Sequence, residues 1–122
     1  MSNMIQTSGV RRVFPALIVA ALLAGCASSR PPPLYAWESY EAQVYADLKG
    51  DSRAAQIEAM ERDLEKIEAS GKTAPPGFYA HLGMLYADAG NDAKATACFT
   101  TEKVRFPEAT AFMDRLLKKY QK

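Results

Sequence analysis

Tyr79-Ala80-His81-Leu82-Gly83-Met84-Leu85-Tyr86 is the stretch on which the fold turns. Tyr79, Leu82 and Tyr86 recur at three- and four-residue spacing and so line one side of a helix. Gly83 lies among them, small where a second helix would pass closely. Further on, Gly90 makes a turn and Asn91 or Asp92 can cap the next helix. Ala95 and Phe99 repeat the small-and-large pairing there, and Pro107 ends it. The pattern predicts two antiparallel helices with Leu82, Tyr86 and Phe99 filling the space between them. Upstream, Thr73-Ala74-Pro75-Pro76-Gly77 breaks the chain; downstream, Pro107-Glu108 opens a last helix carrying Met113, Leu116, Leu117 and Tyr120.

This spacing resembles the tetratricopeptide repeat, with Tyr79 where tryptophan is usual. One repeat, Pro76 to about Ala109, is well matched, and the last helix corresponds to the first helix of a following repeat. Before it, Trp37, Tyr40, Val44 and Leu48 form a stripe that predicts a helix from Leu34 to Leu48, ending near Gly50. Asp51 reads as a cap for a long second helix, in which Ile57, Met60, Leu64 and Ile67 are apolar. That helix runs to about Ser70, with Gly71 as its stop. Its other faces are charged, with Glu58 near Arg62 and Glu61 near Glu65, a pattern read as solvated surface. In this first, repeat-like hairpin Glu41 stands where the small glycine is expected. The expected fold is all-α: a tetratricopeptide-like helical hairpin array of about five helices over residues 35–122.

The resemblance also implies a groove, lined by the first helices of successive repeats, that takes a segment of a partner protein. Carried over position by position, it is formed by Glu38, Ala42 and Tyr45, then Ala80, Met84 and Asp88, then Asp114 and Lys118. Met84 and Tyr45 would give adaptable contact area, and the carboxylates would favour a partner of some basic character.

The amino-terminal region reads as an address. Arg11 and Arg12 precede an apolar run, Val13 to Leu23, which is followed by small residues, the order of a secretory signal. Leu23-Ala24-Gly25-Cys26 resembles the lipobox of bacterial lipoproteins. That resemblance implies a cleaved signal peptide over residues 1–25 and covalent lipid on Cys26, the new amino terminus. Two or more acyl chains then anchor the protein stably where one would be marginal. Residues 26–34 form the lipidated terminus and a proline-rich tether, spanning roughly 15 to 20 Å between Ser28 and Pro33 at about 3 Å per residue. Ala27 and Ser28 follow the cysteine without the aspartate that holds such proteins at the inner membrane. The implied location is the outer membrane, facing the periplasm.

Without Arg11 and Arg12, 13 Lys+Arg stand against 14 Asp+Glu, a balance of about −1. Acidic and basic residues interleave with no basic stripe, so nothing indicates nucleic acid. His81 is the single histidine and has no metal-ligand spacing around it. With Cys26 committed to lipid, Cys98 stands alone beside Phe99 and reads as a small buried hydrophobe. No catalytic constellation, metal site or cofactor motif emerges; the covalent lipid is the one attached group expected.

Pro32-Pro33-Leu34-Tyr35-Ala36-Trp37 and the later Pro75-Pro76-Gly77-Phe78-Tyr79-Ala80-His81-Leu82-Gly83-Met84-Leu85-Tyr86 resemble a family of small proteobacterial lipoproteins. Its members are typically encoded beside a lipoprotein like the curli secretion channel subunit. The resemblance implies a periplasmic protein-binding adaptor or accessory of an envelope assembly or secretion complex. Its partners would include other envelope lipoproteins, among them a curli-channel-like subunit. Two alternatives stay open: a self-associating structural lipoprotein without a specific client, and a carrier or hydrolase of a cell-wall ligand.

Overall fold

In a computed structural model describing residues 31–120, the described residues form five α-helices and no strand. Helix α1 spans Tyr40–Lys49, α2 Arg53–Ala69, α3 Phe78–Asp88, α4 Asp92–Arg105 and α5 Thr110–Tyr120. A 3₁₀ turn, Pro107–Ala109, leads into α5. The all-α expectation and the number of helices hold. The signal segment, the lipobox with Cys26, and the tether up to Arg30 lie outside the described residues. No described helix is long and apolar enough to cross a membrane.

The second hairpin, α3 and α4, follows its sequence closely. Gly77 and Gly90 adopt left-handed conformations at φ 90° and 79°, which a residue without a Cβ takes without strain. Asn91 caps α4, its side-chain oxygen accepting the Lys94 N–H at 3.0 Å. Gly83 is required by the crossing: a Cβ there would lie 2.6 Å from Cε1 of Phe99 and 3.1 Å from Cβ of Cys98. Phe78, Ala95 and Phe99 are completely buried, with Leu82, Leu85 and Tyr86 around them. Each fully buried side chain of this size contributes about 1.5 to 3 kcal/mol. On the other side of α4, α5 buries Met113 and Leu117 and sets Tyr120 against Phe99 at 5.9 Å between ring centres.

The first hairpin departs from expectation at its start. α1 begins at Tyr40, not Leu34. The reason is a competing backbone bond: Tyr35 bridges to Thr73, and the Ala36 N–H donates to the Thr73 carbonyl at 2.9 Å. This holds the preceding segment extended, and Glu38, at φ 42°, turns the chain into the helix. The expected stripe therefore fails at both ends. Trp37 precedes the helix, half-exposed and stacked on Tyr40, and Leu48 is 80% exposed. α1 buries no residue completely. Gly50 does end it, in a left-handed conformation. The cap of α2 is Ser52 rather than Asp51, with the Ser52 hydroxyl facing the Ala55 N–H at 3.5 Å. Along α2, Met60 and Ile67 are buried and Ile57 and Leu64 half-buried, as their spacing predicts.

The two hairpins correspond at an offset of 39 residues: Ser52 with Asn91 as caps, Met60 with Phe99 in the core, Asp63 with Glu102 as buried acids. On that register the counterpart of Gly83 is Val44, so the expectation that Glu41 occupies the glycine position is corrected. The mismatch arises because the expected register makes Trp37, which precedes α1, the counterpart of Tyr79, a place that Tyr40 holds.

Candidate functional site

The residues expected to line a groove fall into two groups. Tyr45 on α1 and Met84 on α3 occupy corresponding positions of the two hairpins and are 60% and 47% exposed. α1 lies against α3 through Tyr40, whose ring is 5.7 Å from Phe78 and 6.1 Å from His81. Ala42 is exposed and Ala80 half-buried. The charged members are less available. Asp88 pairs with Arg53 of α2 at 3.2 Å, and Asp114 with Lys103 of α4 at 2.6 Å. Glu38 sits in the turn before α1, and Lys118 is exposed on α5. Leu48, three residues after Tyr45 and on the same side of α1, was not among the expected groove residues. Its place in the apolar pattern had marked it for the core.

The two buried acids have a structural task. Asp63 accepts the Ser39 N–H at 2.9 Å and the Ser39 hydroxyl, and Lys66 reaches its other oxygen at 3.2 Å. Glu102 accepts the N–H of Gly77 at 2.6 Å and of Ala80 at 3.3 Å. In each hairpin the second helix thus sends a carboxylate to the amino terminus of the first, where free N–H groups and the helix dipole favour negative charge. Burial pushes the Asp63 carboxyl up, but the bonds from Ser39 and Lys66 hold it below its ordinary value. His81 is half-buried with its Nε2 unpartnered, and burial pushes its pKa down against the pull of Asp47. Among the described residues no three His, Cys, Asp or Glu side chains converge as a metal site would need.

A cleft of about 500 Å³ opens on the other side of the molecule, between α2 and α4. Its floor is Tyr79, Leu82 and Tyr86 of α3. Glu61, Leu64, Glu65 and Glu68 of α2 form one wall, and Lys94, Ala97, Cys98 and Thr101 of α4 the other. At one end the Tyr86 hydroxyl donates to Glu61, which also holds Lys94 at 3.0 Å. These bonds pull the Glu61 carboxyl down, while burial and the bond to Glu61 push the Tyr86 phenol up to about 12. At the other end the Arg105 guanidinium lies 5.3 Å from the centre of the Tyr79 ring. Glu65 and Glu68 are exposed, and neither has an ion-pair partner among the described residues. Burial pushes the Cys98 thiol up to about 11, so it is protonated at neutral pH and a poor nucleophile. Sequence reasoning read these glutamates as solvated surface. The available signal was their spacing: Glu61, Glu65 and Glu68 recur at four and three residues, and so flank the apolar stripe through Leu64.

No curated protein and no solved structure matches the chain. A protein-family profile does match, over residues 34–116, from the extended segment ahead of α1 into the middle of α5. The matched span takes in both hairpins, the cleft and the exposed side chains of α1 and α3, and the chain belongs to the family described as Domain of unknown function (DUF4810).

Proposed function

We propose that the protein is a lipoprotein of the outer membrane, anchored through lipid on Cys26 and facing the periplasm, whose helical domain is an adaptor for another envelope protein. What carries this reading is the distribution of exposed apolar side chains. Tyr45, Leu48 and Met84 stand out from α1 and α3, the first helices of the two hairpins, whereas of the second helices α2 exposes no large hydrophobic residue and α4 exposes Val104 alone. Such residues on corresponding helices give a partner apolar area to bury, a mark of an interaction surface. The tetratricopeptide-like spacing of Tyr79, Leu82, Gly83 and Tyr86 supports the same face, since the first helices of that repeat carry its groove. The charges contributed by α1 and the turns flanking it, Glu38, Glu41, Asp47 and Asp51 against Lys49, favour a partner with basic character. The resemblance to lipoproteins encoded beside a curli-channel-like subunit makes a component of an assembly or secretion complex the partner to look for.

Cross-linking in intact cells, followed by capture through a carboxy-terminal tag, tests the reading. Wild type should bring down a distinct envelope protein in fixed ratio; Cys26→Ser should lose it by losing the membrane; Tyr45→Ser with Met84→Ser should lose it while the protein stays anchored. Recovery of nothing but copies of the chain itself from wild type would defeat the adaptor reading.

A further inference from the structure

We propose that the cleft between α2 and α4 receives helix α5 of a second copy of this chain. The argument starts from two surfaces that each lack a counterpart. On α5, Phe112, Arg115 and Lys119 follow one another at three- and four-residue spacing and so share one side of the helix. All three are exposed, Phe112 to 54%. The helix therefore presents an aromatic ring followed by two cations. The cleft presents the complement along its α2 wall: the half-buried Leu64 beside Glu65 and Glu68, two carboxylates that no cation of the described chain pairs with, while Lys94 stands at one end and Arg105, over Tyr79, at the other. Seating the Phe112 ring against Leu64 removes the exposed part of both side chains from water, and Arg115 and Lys119 then come opposite the two glutamates.

The occupant has to come from another molecule. Within one chain α5 is held against α4 by Met113 and Leu117, by Tyr120 against Phe99, and by Asp114 on Lys103 at 2.6 Å. A helix fixed there cannot also enter the cleft on the α2 side of α4. The contact pairs two different patches, so it either closes reciprocally about a two-fold axis into a dimer or runs head to tail into a ring or a row. Copies tethered to one membrane would meet at raised effective concentration. The contact involves neither Tyr45 nor Met84, and it stands or falls separately from the adaptor reading.

Cys98, on the cleft wall, supplies the test in the full-length chain in its own membrane. Ala111→Cys places a thiol on the entering helix beside Phe112 and leaves that ring in place. Oxidation by copper phenanthroline, with oxygen as the final electron acceptor, should then link copies through the introduced thiol and Cys98. Cys98→Ser should abolish the product. Because Cys98 is half-buried, a second chain carrying Ala97→Cys, Cys98→Ser and Ala111→Cys puts an exposed thiol on the same wall and should link as well. Glu65→Lys with Glu68→Lys should lower the yield about tenfold, and adding Arg115→Glu with Lys119→Glu should restore it. Linked copies that persist without any wall thiol would mean α5 meets α5 and overturn the proposal. So would the absence of product from both wall thiols, or a yield indifferent to the charge reversals.

Discussion

Where α3 crosses α4, Gly83 lets the Phe99 ring press against the helix; at the corresponding crossing of α1 and α2 the chain has Val44, Gln56 and Met60. Both hairpins share the left-handed glycine in the turn, the polar cap on the second helix and the buried acid that reaches back to the start of the first. They differ in what fills the plan. The second hairpin puts Leu82, Tyr86 and Ala95 where the first puts Gln43, Asp47 and Gln56. Gln56 is buried with its Oε1 unpartnered, while its Nε2 donates to the Asp51 carbonyl at 3.1 Å. An unsatisfied buried acceptor costs stability that an alanine at that place does not. The same architecture thus yields one hairpin that holds the domain together and one whose first helix lies on the outside. Regions with few buried apolar contacts open first, which leaves α1, with its exposed Tyr45 and Leu48, as the adjustable part of the molecule.

The largest effects should come from the two core counterparts. Phe99→Ala is expected to cost about 4 kcal/mol and Met60→Ala about 3 kcal/mol, read from urea unfolding of the full-length chain. Equal costs would say that the hairpins contribute alike and would break the comparison. The buried acids rank next. Glu102→Leu strands the N–H groups of Gly77 and Ala80 and should cost about 2 kcal/mol; Asp63→Leu strands the N–H and the hydroxyl of Ser39 and should cost about 1 to 2 kcal/mol. Asp63 also carries a pH signature. Its folded value lies below the ordinary 3.8, so its contribution is fully present above pH 3.8 and disappears as pH falls through the lower folded value. A stability profile whose acid limb is unchanged in Asp63→Leu would show that other groups set that limb.

Much of the second hairpin was legible because its signals are local. Glycines at a turn and a crossing, a proline at a stop and three-to-four spacing of Tyr79, Leu82 and Tyr86 each act within a few residues. The first hairpin was misread where a distant segment intervenes: the bond from Ala36 to Thr73 joins residues far apart in sequence and keeps Trp37 out of the helix. Once Trp37 was counted as helical, the register moved, and Glu41 was matched to the glycine position that Val44 holds. The buried acids were hidden for a similar reason. Asp63 and Glu102 look like surface charges on amphipathic helices until the helix starts 24 and 25 residues earlier are brought to them. The cleft between α2 and α4 was invisible because it depends on how far two helices not joined in sequence stand apart.

Smaller effects sharpen the contrast at the caps. Asn91→Ala removes a 3.0 Å bond and should cost about 1 kcal/mol, whereas Ser52→Ala removes a 3.5 Å one and should cost about 0.5 kcal/mol. A larger loss at Ser52 would mean that the first hairpin relies on its cap more than its core.

The smallest expected effect on stability is the most informative about use. Leu48 is 80% exposed on a helix that buries nothing completely, so Leu48→Ser should change unfolding by no more than about 0.5 kcal/mol. If the leucine is there to be fully buried by a partner, the same substitution should still reduce capture of that partner by about tenfold, since burying a leucine side chain completely contributes about 1.5 to 3 kcal/mol. Loss of capture with stability intact would separate binding from folding on α1. A Leu48→Ser protein that binds normally would leave Tyr45 and Met84 to carry the face, and would place the contact nearer α3 than the outer helix.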